Sequence, residues 1–191
     1  MVNYLTIIYI FGLIMIIRFI LYCSNYFYLK KVITKQNIYV KGLYENPSED
    51  EIKKSNKAGA WVNDNIMEIK RIVLKTGVAD YVHTFMEPVG YGNVQQKTMS
   101  ALDNILFKNI EILKEARDIL HRAKGYYKVE TLKCINPIYW IEFIVFLPRE
   151  IIRYFSTTND SKPTPVLTNI IQILYWLISI VFTYLNYIKG K

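Results

Sequence analysis

The run from Val166 to Ile188, VLTNIIQILYWLISIVFTYLNYI, holds 23 residues without one charged side chain. Backbone N–H and C=O groups in hydrocarbon find no water, so a run of this kind is satisfied in a membrane only as a helix. About 20 helical residues cross a bilayer core of about 30 Å, so this one spans with some tilt. Pro163 and Pro165 punctuate its start, and Tyr184 and Tyr187 fall where an interfacial aromatic belt is expected. Asn169 and Gln172, three apart on the first turns and so on one face, can hydrogen-bond across helices or, the plainer expectation, lie near the headgroups.

The other end of the chain has the same character. Tyr4 to Ile17 is uncharged, Arg18 follows, and apolar residues continue to Leu29. Tyr4 to Cys23 has spanning length, and Arg18 is close enough to its inner end to snorkel to the headgroups. A cleaved signal peptide would need a basic start and a small-residue cleavage site; Met1 to Leu5 is uncharged and CSNYFY lacks the small residues. Residues 1–29 are therefore expected to form one uncleaved anchor and residues 166–188 a second. Lys30, Lys31 and Lys35 follow the first anchor, and Arg149, Arg153 and Lys162 precede the second. The positive-inside bias puts the centre in the cytoplasm of a cell (inner) membrane protein, with Lys189 and Lys191 pulling the other way at the tail.

The net charge of +8 suits a nucleic acid or an anionic membrane surface. The lysines flank apolar runs and no nucleic-acid fold signature accompanies them, so anionic lipid is the expected partner and nucleic acid is not. Cys23 and Cys134 have neither disulfide-framework nor metal spacing. No G-x-S-x-G, Walker loop, H-E-x-x-H or C-x-x-C occurs, and no cofactor is expected.

Residues 45–133 carry most of the acids and read as a soluble helical domain. Ser48 with Glu51 forms a capping-box pattern opening a helix that runs to Lys75, where Thr76-Gly77 stops it. Ala58, Trp61, Val62, Ile66, Ile69 and Val73 give it an apolar face, with Gly59 a weak point. A second helix is expected from Thr98 to Lys124. Ile105, Ile112 and Ile119 recur every seven residues, as do Leu106, Leu113 and Leu120, with Asn109 interrupting a third heptad position. That stripe is wider than a two-stranded coiled-coil seam and implies a packing face within a bundle or a self-assembly surface.

Between the two helices stands Val89-Gly90-Tyr91-Gly92, a tetrapeptide that resembles the selectivity filter of potassium channels. A filter must be enclosed by protein and followed by a spanning helix. The segment after it carries lysines and acids throughout, so Pro88, Gly90 and Gly92 are expected to form a loop between helices. His83, with Asp80 and Glu87 at helical spacing, offers a candidate acid–base or metal group, against the plainer expectation of a surface or half-buried histidine. His121 falls in HRAK, a basic stretch expected to end the helix where a cation suits its C-terminus.

Residues 134–155, CINPIYWIEFIVFLPREIIRYF, hold apolar runs too short to span, interrupted by Glu142 and Pro148. They are expected to form two interfacial helices starting at Asn136-Pro137 and divided by Pro148, with Tyr139, Trp140, Arg149 and Arg153 at the membrane interface. The alternatives are a buried core helix or a third span. If the segment is interfacial, a fragment covering residues 36–160 should bind anionic vesicles by itself, and salt should weaken the binding.

The expected fold is an all-α integral membrane protein with two terminal transmembrane helices and a central cytoplasmic helical domain. Its expected work is that of a membrane-anchored helical scaffold, assembling with itself or binding a protein partner at the cytoplasmic face. A pore-forming or membrane-perturbing oligomer is the alternative, and a membrane-associated enzyme using His83 the third reading.

Overall fold

The structure, a computed structural model, describes residues 4–44, 46–90, 93–149, 152 and 165–189. Among the described residues the main elements, in chain order, are α1 (Tyr4–Tyr44), α2 (Glu49–Asp64), α3 (Ile66–Leu74), β1 (Val82–Gly90), β2 (Asn93–Ser100), α4 (Ile110–Ile135), α5 (Pro137–Val145) and α6 (Pro165–Lys189). The chain is mostly helical, and it divides into two compact units, Met1–Ile135 and Asn136–Lys191.

In the first unit α1 is 41 residues long, well beyond the expected anchor. Its later half carries Leu29, Val32, Ile33 and Gln36 at helical spacing, and all four are buried. They pack into a core completed by Val62 of α2, Ile69, Ile72 and Val73 of α3, and Ile112, Ala116, Ile119, Leu120 and Ala123 of α4. Gln36 is a polar group at the centre of this core. Its Nε2 donates to the carbonyls of Ile105 (3.1 Å) and Leu113 (3.4 Å), so its amide is partly compensated for lost water.

The α1–α2 contact depends on small residues. A Cβ at Gly42 would collide with Cβ of Ser55, and one at Gly59 would come within 2.9 Å of the Tyr39 ring. Gly59, a weak point by propensity, is thus where a tyrosine crosses the helix. Ser55 Oγ also donates to the Tyr39 carbonyl (2.9 Å). The capping box forms at the start of α2: Ser48 N donates to Glu51 Oε2 (2.9 Å) and Glu51 N to Ser48 Oγ (3.4 Å). The single helix expected from Ser48 to Lys75 is in fact two. Asn65 breaks it, leaving helical dihedrals (φ −105°, ψ 7°) while its Nδ2 donates to the Trp61 carbonyl (2.7 Å). A short amide side chain here competes with the helical ladder for a backbone acceptor. Thr76-Gly77 does end α3, with Gly77 at φ 74°.

The largest departure from expectation lies between residues 82 and 109. Val89 and Gly90 of the filter-like tetrapeptide belong to a strand rather than an interhelical loop, and Tyr91 and Gly92 lie outside the described residues: β1 pairs antiparallel with β2 from Val82 opposite Ser100 to Gly90 opposite Asn93. Gly90 adopts φ 94°, which a side chain would strain. Thr98 to Ser100 are therefore strand, and α4 begins at Ile110 rather than Thr98. Residues 101–106 are held as turns by side chains. Asp80 accepts from Ser100 Oγ and from Leu102 N (3.1 Å), and Ser100 Oγ accepts from Asp103 N (3.0 Å). Asn109, the residue that interrupts the heptads, accepts from Glu111 N (2.8 Å) at the start of α4.

The heptad stripe is consequently divided between two structures. Ile105 is buried and Leu106 half-buried on the turn, whereas Ile112, Leu113, Ile119 and Leu120 are buried on α4. α4 then continues past Lys124 to Ile135, where Tyr127 Oη donates to the Ile72 carbonyl (2.8 Å).

In the second unit, Asn136 caps α5 by accepting from Ile138 N (3.0 Å), with Pro137 at the first helical position. α5 ends at Val145, before Pro148, and residues 147–149 form a further helical turn. Gln172 of α6 donates to the Val145 carbonyl (2.7 Å). Of the two expectations for this residue, a hydrogen bond across helices is seen: it satisfies an acceptor at the end of α5.

Candidate functional site

Among the described residues, two helices are long and apolar enough to cross a membrane. The candidate windows lie in Phe11–Leu43 of α1, with mean hydropathy 1.5, and Thr168–Leu185 of α6, with mean hydropathy 1.6. None of the α6 window is buried, and only 11% of the α1 window is.

On α1 the apolar character surrounds the helix. Leu13, Ile14, Ile16, Ile17, Ile20 and Leu21 are exposed on several sides. One narrow stripe differs: Phe11, Arg18 and Tyr22 are half-buried and Met15 is 1% exposed, at the three- and four-residue spacing that continues into Leu29 and Ile33. Arg18 Nη2 donates to Tyr22 Oη (2.8 Å), and its guanidinium lies over that ring, 5.5 Å from the centroid. The cation among the apolar residues is thus held by an aromatic neighbour one turn on.

The short α5 exposes Ile138, Ile141 and Ile144, while Phe143 is buried and Tyr139 and Trp140 are half-buried. Glu142 and Arg149 are exposed. Arg153, the fourth expected interface residue, lies outside the described residues. α6 exposes apolar side chains on all sides, among them Ile173, Leu177, Ile180 and Phe182. Its Ser179 and Thr183 hydroxyls donate to carbonyls one turn back (both 2.8 Å), which lets polar side chains sit on an apolar helix without open donors.

The candidate chemical groups are arranged differently from their sequence spacing. His83 lies on β1, so the helical spacing with Asp80 and Glu87 does not apply. Its Nε2 pairs with Glu115 of α4, and Asp80 is engaged with the turn at Ser100 and Leu102. The Glu87 side chain is outside the described residues. Among the described residues no three His, Cys, Asp or Glu side chains gather as a metal would require. His121 falls in the middle of α4, not at its end. Burial and the cations Lys124 and Arg117 hold its pKa down, with Asp118 opposing them. The basic stretch that would suit a helix C-terminus is here a site of mutual repulsion.

An open groove of about 500 Å³ runs between α2 and the turn, lined by Tyr39, Asn63, Asp103, Asn104 and Phe107 among others. Sequence reading had no means of finding it, because it is made by a turn that the heptads disguise as helix.

No family model matches the chain, and neither a curated protein nor a solved structure is significantly similar to it.

Proposed function

We propose that this chain is a membrane-anchored helical interaction protein. Its first unit serves as a scaffold at the cytoplasmic face of a cell membrane, with α1 and α6 as anchors. The observation that carries the reading is the exposed apolar surface of both helices. Soluble monomers rarely expose contiguous apolar patches beyond a few hundred Å², and a helix apolar on every side calls for an apolar solvent. Lys30, Lys31 and Lys35 after the first apolar run favour the cytoplasmic side for the folded unit. Its work is assembly with a second copy or capture of a protein partner beside the bilayer.

The test uses the full chain in a cell. It should stay in the membrane fraction through an alkaline carbonate wash and leave only with detergent. In intact cells a cysteine placed at Lys114 should escape an impermeant outside reagent and react once the membrane is opened. Release by carbonate would remove the anchor reading, and outside labelling at position 114 would reverse the topology. A detergent-solubilised chain that is monomeric and retains no partner would remove the scaffold role.

A further inference from the structure

We infer that the C-terminal turns of α4 are a lipid-binding surface, entering the inner leaflet of the bilayer together with α1. The inference rests on the anchor reading above and extends it to a helix that the sequence assigns to the soluble domain.

The argument begins with register. Gln36 of α1 lies against Leu113 of α4, and Tyr22 of α1 against Tyr127 of α4, their rings 6.1 Å apart. Fourteen residues toward the start of α1 therefore match fourteen toward the end of α4, as two antiparallel helices of equal rise require. Continuing that register sets Val129 level with Ile20, Leu132 with Ile17 and Ile135 with Ile14. Two observations agree with the extension. Cys134 and Met15, which it sets side by side, are 4% and 1% exposed. Arg18 is also close enough to act electrostatically on Cys134.

Ile14 is nine residues before Cys23, about 14 Å along the helix. A bilayer that covers Tyr4 to Cys23 of α1 therefore meets the end of α4 at the same depth. The α4 side chains there fit that medium. Val129, Leu132 and Ile135 are 51%, 59% and 62% exposed, apolar, and at three-residue spacing on one side of the helix. The charges are placed to suit that depth: Lys128 is level with Leu21, about 3 Å from the inner end of the span, and the deeper acid is paired. Glu130 is 4% exposed and accepts from Lys133 Nζ at 2.8 Å, so the acid is turned inward and paired. Lys128, exposed and nearest the inner end of the span, has a stem long enough to reach phosphates while its neighbours meet acyl chains. The occupant is thus a lipid surface bearing anionic headgroups, continuous with the lipid around α1.

The experiment reconstitutes the full chain in bilayers of phosphatidylglycerol and phosphatidylcholine. Spin labels are placed singly at Leu13, Leu132 and Lys114 in a Cys23→Ser, Cys134→Ala background checked for helical content. Collision with lipid-soluble oxygen is compared with collision with a water-soluble nickel chelate. The expected result is an oxygen preference several-fold higher at positions 13 and 132 than at 114. A lipid-exposed position 13 with position 132 as aqueous as 114 would overturn this inference alone and leave the anchors standing. Aqueous behaviour at both 13 and 132 would remove the anchor reading too. Shielding of 132 from both reagents would mean a protein covers it, which also overturns the inference. The unaltered chain gives an independent measurement: a lipid with a photoreactive acyl chain should cross-link within residues 128–135, and labelling that spares that stretch while marking α1 would refute it.

Discussion

At the scale of single residues, the glycines show how the same residue type has opposite meanings. Gly42 faces Ser55 so closely that a methyl group would meet a rigid Cβ. Gly125, in the interior of α4, has nothing within 4 Å of where a Cβ would stand. Gly42→Ala should therefore cost about 1–3 kcal/mol through overpacking. Gly125→Ala should gain about 0.5–1 kcal/mol from helix propensity. Denaturant melts of the two variants against the parent should move the midpoint in opposite directions; equal shifts would refute the packing assigned to Gly42. Nothing in the sequence distinguishes these two glycines. Each lies in a helical pattern, and the difference is what stands across from it. The capping box at Ser48 and Glu51 was legible for the converse reason, because both partners lie within one turn of chain.

At the scale of elements, α4 illustrates where pattern reading succeeds and where it fails. Its buried Ile and Leu positions from 112 to 120 follow directly from the heptads. Its start does not, because seven-residue spacing through Ile105 and Leu106 continues across a turn that is not helix. Hydrophobic spacing records which side chains enter a core, and residues on a turn can enter the same core as residues on a helix. The contacts that stop the helix, Asp80 with Ser100 and Leu102, join positions about twenty residues apart in the chain. Leu113, 3% exposed, should be expensive to truncate: Leu113→Ala should cost about 2–5 kcal/mol. Lys114→Ala, one residue on and exposed, should stay within about 0.5 kcal/mol. Thermal melts check the pair. The Leu113 side chain is buried within its own subunit, so oligomer mass should be unchanged in both variants, and a drop in mass for Leu113→Ala alone would place it at a subunit contact.

At the scale of the whole molecule, the anchor and the folded unit share a helix. Leu29, Val32 and Ile33, just beyond the expected first anchor, are core residues of the first unit. A fragment of residues 36–160, cut to leave out both expected anchors, removes three buried aliphatic side chains, each worth roughly 1.5–3 kcal/mol. Against a stability of about 5–15 kcal/mol for a typical domain, that loss is decisive. The 36–160 fragment should show no cooperative unfolding transition, whereas residues 24–135, which restore the α1 segment, should show one. Calorimetry or urea titration decides between them, and cooperative melting of the shorter fragment would mean that α1 is dispensable to the core. The sequence alone determined the mostly helical class, the two apolar helices at the ends, the cap of α2 and the start of α5, since each depends on composition or on contacts within a turn or two. Only the tertiary structure decided that α1 runs unbroken from apolar run into core, that Val82–Gly90 pairs with Asn93–Ser100, and that α4 starts at Ile110 and runs to Ile135. Those outcomes rest on contacts between residues far apart in the chain, which a local pattern does not encode.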